Sequence, residues 1–245
     1  MSPADTDPTI DRGQIVYAQA CAPCHGAVGD GKGVAASQLQ PRPRDLTSGV
    51  YKFRTTKSGS VPTEADLRRT IDAGIPGTTM PAWRGLLSDA DRDAVIAYIV
   101  TLSPWFADGV YPEDVIVDPA AVPPPIVATD LIAGAEVYER MQCAKCHGPD
   151  GRGNRDNPLV DDAGLPIVAF DFTRGTFKGG SAPLDVYRSF TTGLDGTPMP
   201  SYGDSLAEGE RWALVWYVES LRRASGPIEW LLHLPTSNHA RQVSK

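Results

Sequence analysis

No run of apolar residues in this 245-residue chain approaches the roughly 20 that a membrane-crossing helix needs. The opening, MSPADTDPT, has no apolar stretch of the kind a secretory leader carries. Basic residues are not in excess: 23 Lys and Arg stand against 30 Asp and Glu, a net charge of −7, which gives no support to nucleic-acid binding. No stretch of useful length alternates apolar and polar residues with period two, so the fold class is all-α. Cysteine, histidine and methionine number only four each, so every one of them needs an individual account. Beyond these scarcities the composition is ordinary for a globular protein, 22% charged and 41% hydrophobic, and the length suffices for two small domains.

The chain repeats itself. GQIVYAQACAPCHG (13–26) returns as GAEVYERMQCAKCHG (134–148), DLRRTIDAGIPGTTMPAW (66–83) as DVYRSFTTGLDGTPMPSY (185–202), and LLSDADRDAVIAYIVTL (86–102) as SLAEGERWALVWYVESL (205–221). Three matches in one order, 119 to 122 residues apart, mark a duplication. In the first copy Asp7 and Pro8 supply a cap and a first-turn proline for a helix that ends at the CxxCH. A middle helix opens on a capping box, Thr63 with Asp66, and stops at Gly74; its counterpart opens near Ser181 and stops at Gly193. A final helix starts at Ser88, carries Val95, Ile96, Ile99 and Leu102 as its apolar stripe, and ends at Ser103-Pro104, with Gly226-Pro227 closing the second. The domains expected are 1–105 and 129–226, with a tail at 227–245. The proline-rich segment 106–128 between them reads either as an extended linker or as a strap, the latter because of Val115, Ile116, Val117, Ile126 and Val127.

CAPCH (21–25) and CAKCH (143–147) are haem-attachment pentapeptides: Cys21 and Cys24, and Cys143 and Cys146, add across the haem vinyl groups, which sets His25 and His147 under the iron. A four-thiolate zinc site would leave both histidines unexplained, and a redox disulfide wants a βαβ context that the pattern lacks. For the sixth ligand, Met1 is terminal and Met141 precedes Cys143 on the proximal side. Met80 and Met199 hold the same place in the two copies, in a G-T-x-M-P loop after a helix stop, which core filler has no reason to do. Thioether plus imidazole gives low-spin iron with a raised potential.

On these motifs the chain resembles class I c-type cytochromes, specifically the tandem dihaem members of the bacterial periplasm, over about 200 residues. The resemblance implies two cytochrome c-like helical domains, each wrapped around one covalent haem, and two iron atoms ligated by His25 with Met80 and by His147 with Met199. Gly13 with Tyr17, and Gly134 with Tyr138, match the family's close crossing of first and last helices, with Tyr98 and Tyr217 facing. It also implies a backbone carbonyl accepting each proximal histidine's N–H, with Pro41 or Pro43, and Pro158 or Pro166, as candidates. The long stretch between each histidine and its methionine departs from the smallest members. Covalent haem is installed outside the cytoplasmic membrane, so a periplasmic location is expected, with a signal peptide or anchor removed.

The function implied is electron transfer between a membrane quinol-oxidising complex, a terminal oxidase or a periplasmic metalloenzyme, with no small-molecule substrate. A peroxidase needs a haem that opens, usually with a second histidine, and the spare His233 and His239 lie in the tail. Thiosulfate-oxidising dihaem enzymes use a cysteine ligand, and all four cysteines are consumed. A permanent redox subunit of a larger complex is the third reading. Lys32, Arg42, Arg44, Lys52, Arg54 and Lys57 against Asp45 make 32–57 either a docking surface or a source of propionate partners. Segment 148–182 is richer in acids, including Asp161 and Asp162, so the first haem is expected to have the higher potential.

Overall fold

The computed structural model describes residues 7–174 and 176–223, and these are helical, as the all-α reading requires. The tail with His233 and His239, and the Gly226-Pro227 stop, lie outside the described residues. The elements are α1 (Pro8–Ala20), α2 (Ala22–His25), α3 (Glu64–Ala73), α4 (Asp89–Thr101), α5 (Ala128–Arg140), α6 (Ala144–His147), α7 (Pro183–Thr191) and α8 (Glu208–Arg223). Two compact units divide them. Unit 1 is Met1–Val122, Pro158–Val168 and Thr176–Ala207; unit 2 is Pro123–Asn157, Ala169–Gly175 and Glu208–Lys245.

In unit 1, α1 begins where the Asp7 carboxylate accepts the Thr9 N–H at 2.8 Å, with Pro8 in the first turn. α3 begins in a reciprocal box: Thr63 Oγ1 accepts the Asp66 N–H, and the Asp66 carboxylate accepts the Thr63 N–H, each at 3.1 Å. The same carboxylate accepts the backbone and hydroxyl of Thr55, so one buried aspartate fixes both a helix start and the loop before it. α1 packs on α4, with Tyr17, Leu67, Ile71, Val95, Ile96 and Ile99 in the core; Leu102, the last residue of the expected stripe, is half-buried. A Cβ on Gly13 would lie 2.0 Å from the Ala94 carbonyl oxygen, so only glycine permits this crossing.

In unit 2, α5 packs on α8 by the same rule: a Cβ on Gly134 would lie 2.2 Å from the Ala213 carbonyl oxygen. Val137, Tyr138, Leu214, Val215 and Val218 are buried. Tyr17 meets Tyr98 with ring centroids 5.2 Å apart, and Tyr138 meets Tyr217 at 5.3 Å, as the resemblance implies. One residue more separates Tyr138 from Cys143 than Tyr17 from Cys21, and Gln142 absorbs it by turning to a φ of 61°.

Two local features fill in the helical outline. β1 (Leu159–Val160) pairs antiparallel with β2 (Pro166–Ile167) in unit 1, closed by the Asp161 carboxylate accepting the Ala163 and Leu165 N–H groups. Two residues per strand are too few to leave a period in the sequence. Of the two readings of the segment after α4, residues 104–117 follow the strap. Phe106 is buried, Val117 is 2% exposed, and the Ile116 and Val117 N–H groups donate to the Thr55 carbonyl. That stretch is a strap, held within unit 1.

Candidate haem-binding sites

Each CxxCH occupies a single helical turn. In α2 the His25 N–H donates to the Cys21 carbonyl at 2.9 Å, and in α6 the His147 N–H donates to that of Cys143 at 2.9 Å. The tyrosine of each first helix reaches over the turn: Tyr17 donates to the Gly26 carbonyl at 2.9 Å, Tyr138 to that of Gly148 at 2.6 Å. Burial pushes the Cys21 and Cys143 thiols up to about 11, the opposite of the depressed thiol of a redox CxxC.

The carbonyl that orients each histidine is not a proline's. His25 Nδ1 donates to Arg44 O at 2.9 Å and His147 Nδ1 to Phe170 O at 3.2 Å. The reason is an aspartate at the next position. Asp45 accepts the Thr47 N–H and hydroxyl at 2.9 and 2.6 Å, and Asp171 accepts those of Thr173 at 2.9 and 2.6 Å. The Leu46 and Phe172 N–H groups donate to Gly29 and Gly151, each at 2.7 Å. Both turns are pinned so that the carbonyl before the aspartate faces the ring. The signal was present as a further repeat, RDLT at 44–47 and FDFT at 170–173. A carbonyl oxygen only accepts, so each Nδ1 carries the proton; burial lowers both imidazole pKa values, and the neutral ring offers its Nε2 lone pair to a metal. In unit 2 the His147 ring stacks on Phe172 with centroids 4.4 Å apart; its counterpart Leu46 is aliphatic.

The methionine loops share one hydrogen-bond scheme. Thr78 donates to Ile75 O and accepts the Met80 N–H, while the Ile75 N–H donates to Met80 O. Thr197, Leu194 and Met199 repeat it. Gly74 and Gly193 start the loops with φ of 64° and 73°, where a Cβ would strike the backbone after the methionine.

Unit 1 brings Cys21, Cys24, His25 and Met80 together around one pocket, whose lining includes Leu39, Leu46, Leu67, Ile71, Trp83, Val95 and Ile99. Of the second set, unit 2 holds Cys143, Cys146 and His147, and unit 1 holds Met199. The unit 1 pocket fits a covalently attached haem: two thiols, an oriented imidazole, a thioether and apolar walls. It also fits the propionates, because Arg44, Lys52 and Lys178 line it. Burial, with Arg44 and Lys178 nearby, pushes the Lys52 ammonium down to about 8, against the opposing pull of Asp161 and Asp162.

The basic stretch 32–57 therefore does not present six free cations. Arg54 is fully buried and paired with Asp195 at 2.8 Å, Lys57 pairs with Asp114 at 2.6 Å, and Arg42 donates to the Ala36 carbonyl. The tally of charge by neighbourhood in sequence fails as well: Lys178 lines the first pocket, and Asp161 and Asp162 act on Arg44.

The family described as Cytochrome C oxidase, cbb3-type, subunit III, matches residues 8–99 and 129–218, stretches that contain both CxxCH turns and both methionine loops. The Cbb3-type cytochrome c oxidase subunit FixP of Azorhizobium caulinodans is 28% identical over 222 residues, covering 85% of this chain and 58% of that protein. Subunit CcoP of Azospirillum sp. is 26% identical over 222 residues, covering 85% of this chain and 61% of that one. This chain thus spans about three fifths of the length of these relatives. Among solved structures, a chain of the Kuenenia stuttgartiensis reducing HAO-like protein complex is similar at 45% identity with a TM-score of 0.80, covering 86% of this chain and 96% of that one.

Proposed function

The chain belongs to the family of Cytochrome C oxidase, cbb3-type, subunit III, and from that premise we propose that it carries two covalent haems and passes electrons as a redox subunit in the periplasm. It is a c-type cytochrome and an electron carrier, not an enzyme. The observation that carries the two-haem reading is the unit 1 pocket gathering Cys21, Cys24, His25 and Met80, together with the repetition of every one of those residues in the second copy. When bound, a haem supplies a one-electron couple.

The residues divide the remaining work. Cys21, Cys24, Cys143 and Cys146 would attach the haems; His25 and His147, held through Nδ1 by Arg44 O and Phe170 O, would offer Nε2 to the iron. Met80 and Met199 would supply the thioether ligands, so that each iron would be held by two side chains with none left open to a substrate. Arg44, Lys52 and Lys178 neutralise the first haem's propionates, and the apolar lining excludes water. The domains we assign follow the repeat, 1–105 and 129–226, joined by 106–128 and followed by 227–245.

Relatives that are oxidase subunits, and a similar chain in a HAO-like complex, support stable association with a larger redox assembly over free diffusion. The partner we assign is an oxidase or a periplasmic metalloenzyme, fed from a quinol-oxidising complex. A pyridine haemochrome assay of the denatured protein will return two haems per chain, and one after Cys143→Ser with Cys146→Ser. A wild-type count of one would sink the dihaem reading.

A further inference from the structure

Between the helix stop and the methionine the two loops differ at three positions, Ile75/Leu194, Pro76/Asp195 and Thr79/Pro198. Ile75-Pro76-Gly77 in the first copy corresponds to Leu194-Asp195-Gly196 in the second. Proline fixes its own φ and stiffens the turn that leads to Met80. Aspartate does not; the second loop carries its proline next to the ligand, at Pro198, and its turn at Asp195 is braced from outside. The Asp195 carboxylate accepts the Ser58 hydroxyl at 2.7 Å and the Gly59 N–H at 2.9 Å, and lies 2.8 Å from the Arg54 guanidinium.

Arg54 is built for this contact. It is fully buried, and its guanidinium also donates to Tyr51 O, Lys57 O and Thr192 O, the last at 2.7 Å. Thr192 is the C-cap of α7 and Asp195 the third residue of the loop, so one planar group holds both the helix end and the loop leaving it. A buried charge with this many fixed partners is costly to misplace. All of these groups lie within unit 1.

We infer that Arg54, a residue of the first copy, is the positioning residue of the Met199 loop: its ion pair with Asp195 braces the turn at the place where Pro76 stiffens the Met80 loop. The ligand of the second iron is thereby set by a side chain outside its own copy. This rests on the reading that Met199 ligates that iron, and the test separates the two.

The holoprotein is purified as wild type, Arg54→Met, Arg54→Lys, Asp195→Asn and Met199→Ala. Haem content is counted in each, and the weak iron–thioether charge-transfer band of the oxidised protein is measured. Arg54→Met is expected to keep the wild-type haem content and lose about half of the band. Arg54→Lys should recover most of it, and Asp195→Asn should weaken it without removing it. If Met199→Ala leaves the band at full strength, the ligand reading falls and the inference with it. If Met199→Ala halves the band but Arg54→Met leaves it whole, the positioning role alone is overturned. A band lost completely in Arg54→Met would make the residue a general support of the fold and also overturn the role.

Discussion

His25 donates to Arg44 O and His147 to Phe170 O, each held by an Asp-x-Thr turn, whereas one methionine loop carries Pro76 and the other Asp195 tied to a buried arginine. The first pair is a backbone device and is repeated almost bond for bond. The second is a side-chain device, and the copies solve it differently. A carbonyl's direction depends on the local turn, so only a repeated turn reproduces it. A loop's stiffness has more than one source, so the copies were free to diverge.

Breaking the comparison at the ligands has the largest effect. Met80→Ala and Met199→Ala should each lower the midpoint potential of one haem and leave the other near its wild-type value, because the thioether favours the reduced iron. Spectroelectrochemical titration reads this, and a variant with both potentials unchanged removes its methionine from the ligand set.

The helix crossings come next, and here the copies should respond alike. A Cβ at Gly13 would lie 2.0 Å from Ala94 O and 2.8 Å from Tyr98 Cβ, and one at Gly134 would lie 2.2 Å from Ala213 O and 2.6 Å from Tyr217 Cβ. The obstacle is backbone, so relief requires the helices to part, at a cost of about 1–3 kcal/mol or more. Thermal unfolding should show Gly13→Ala and Gly134→Ala each lowering Tm by several degrees, roughly 2–4 °C for each kcal/mol. An unshifted Tm in either would mean that its crossing is looser than the distances indicate.

Charge around the first pocket sharpens the difference between the copies. Lys178 is drawn from the second copy's sequence but lines the first pocket. One unit charge about 10 Å from the iron, at an effective dielectric near 20, is worth roughly 1.7 kcal/mol, or about 70 mV for one electron before screening. Lys178→Gln should therefore lower the first haem's potential by tens of millivolts and move the second less. The reverse order would return Lys178 to the second site.

The smallest effect is on the strap. Lys57 and Ser60 donate to Asp114 and hold its carboxyl below the ordinary 3.8. A lowered carboxyl pKa stabilises the folded form above the unfolded value, and that contribution is lost as pH falls through the folded value. The protection factors of the Ile116 and Val117 amides, whose N–H groups donate to Thr55 O, should fall below about pH 3.8 and hold between pH 5 and 7. Protection factors that stay flat down to pH 2 would show that the ion pair does not hold the strap.

By itself the sequence determined what repeats. Duplication, the helical class, the helix caps, the two CxxCH turns, the paired methionines and the glycine crossings were all readable, because each is a local pattern with a fixed spacing. The carbonyls of Arg44 and Phe170 were nearly readable, since the Asp-x-Thr turns recur, but the acceptor is a main-chain atom that any residue supplies. The two-residue strands left no period, and the strap's backbone bonds to Thr55 left no mark on side-chain choice. Only the tertiary structure decided where charge resides. Arg54, Lys57 and Lys178 look like neighbours of particular haem motifs in the chain, yet they meet Asp195, Asp114 and the first pocket, because electrostatic partners are chosen by distance in space and the fold alone sets that distance.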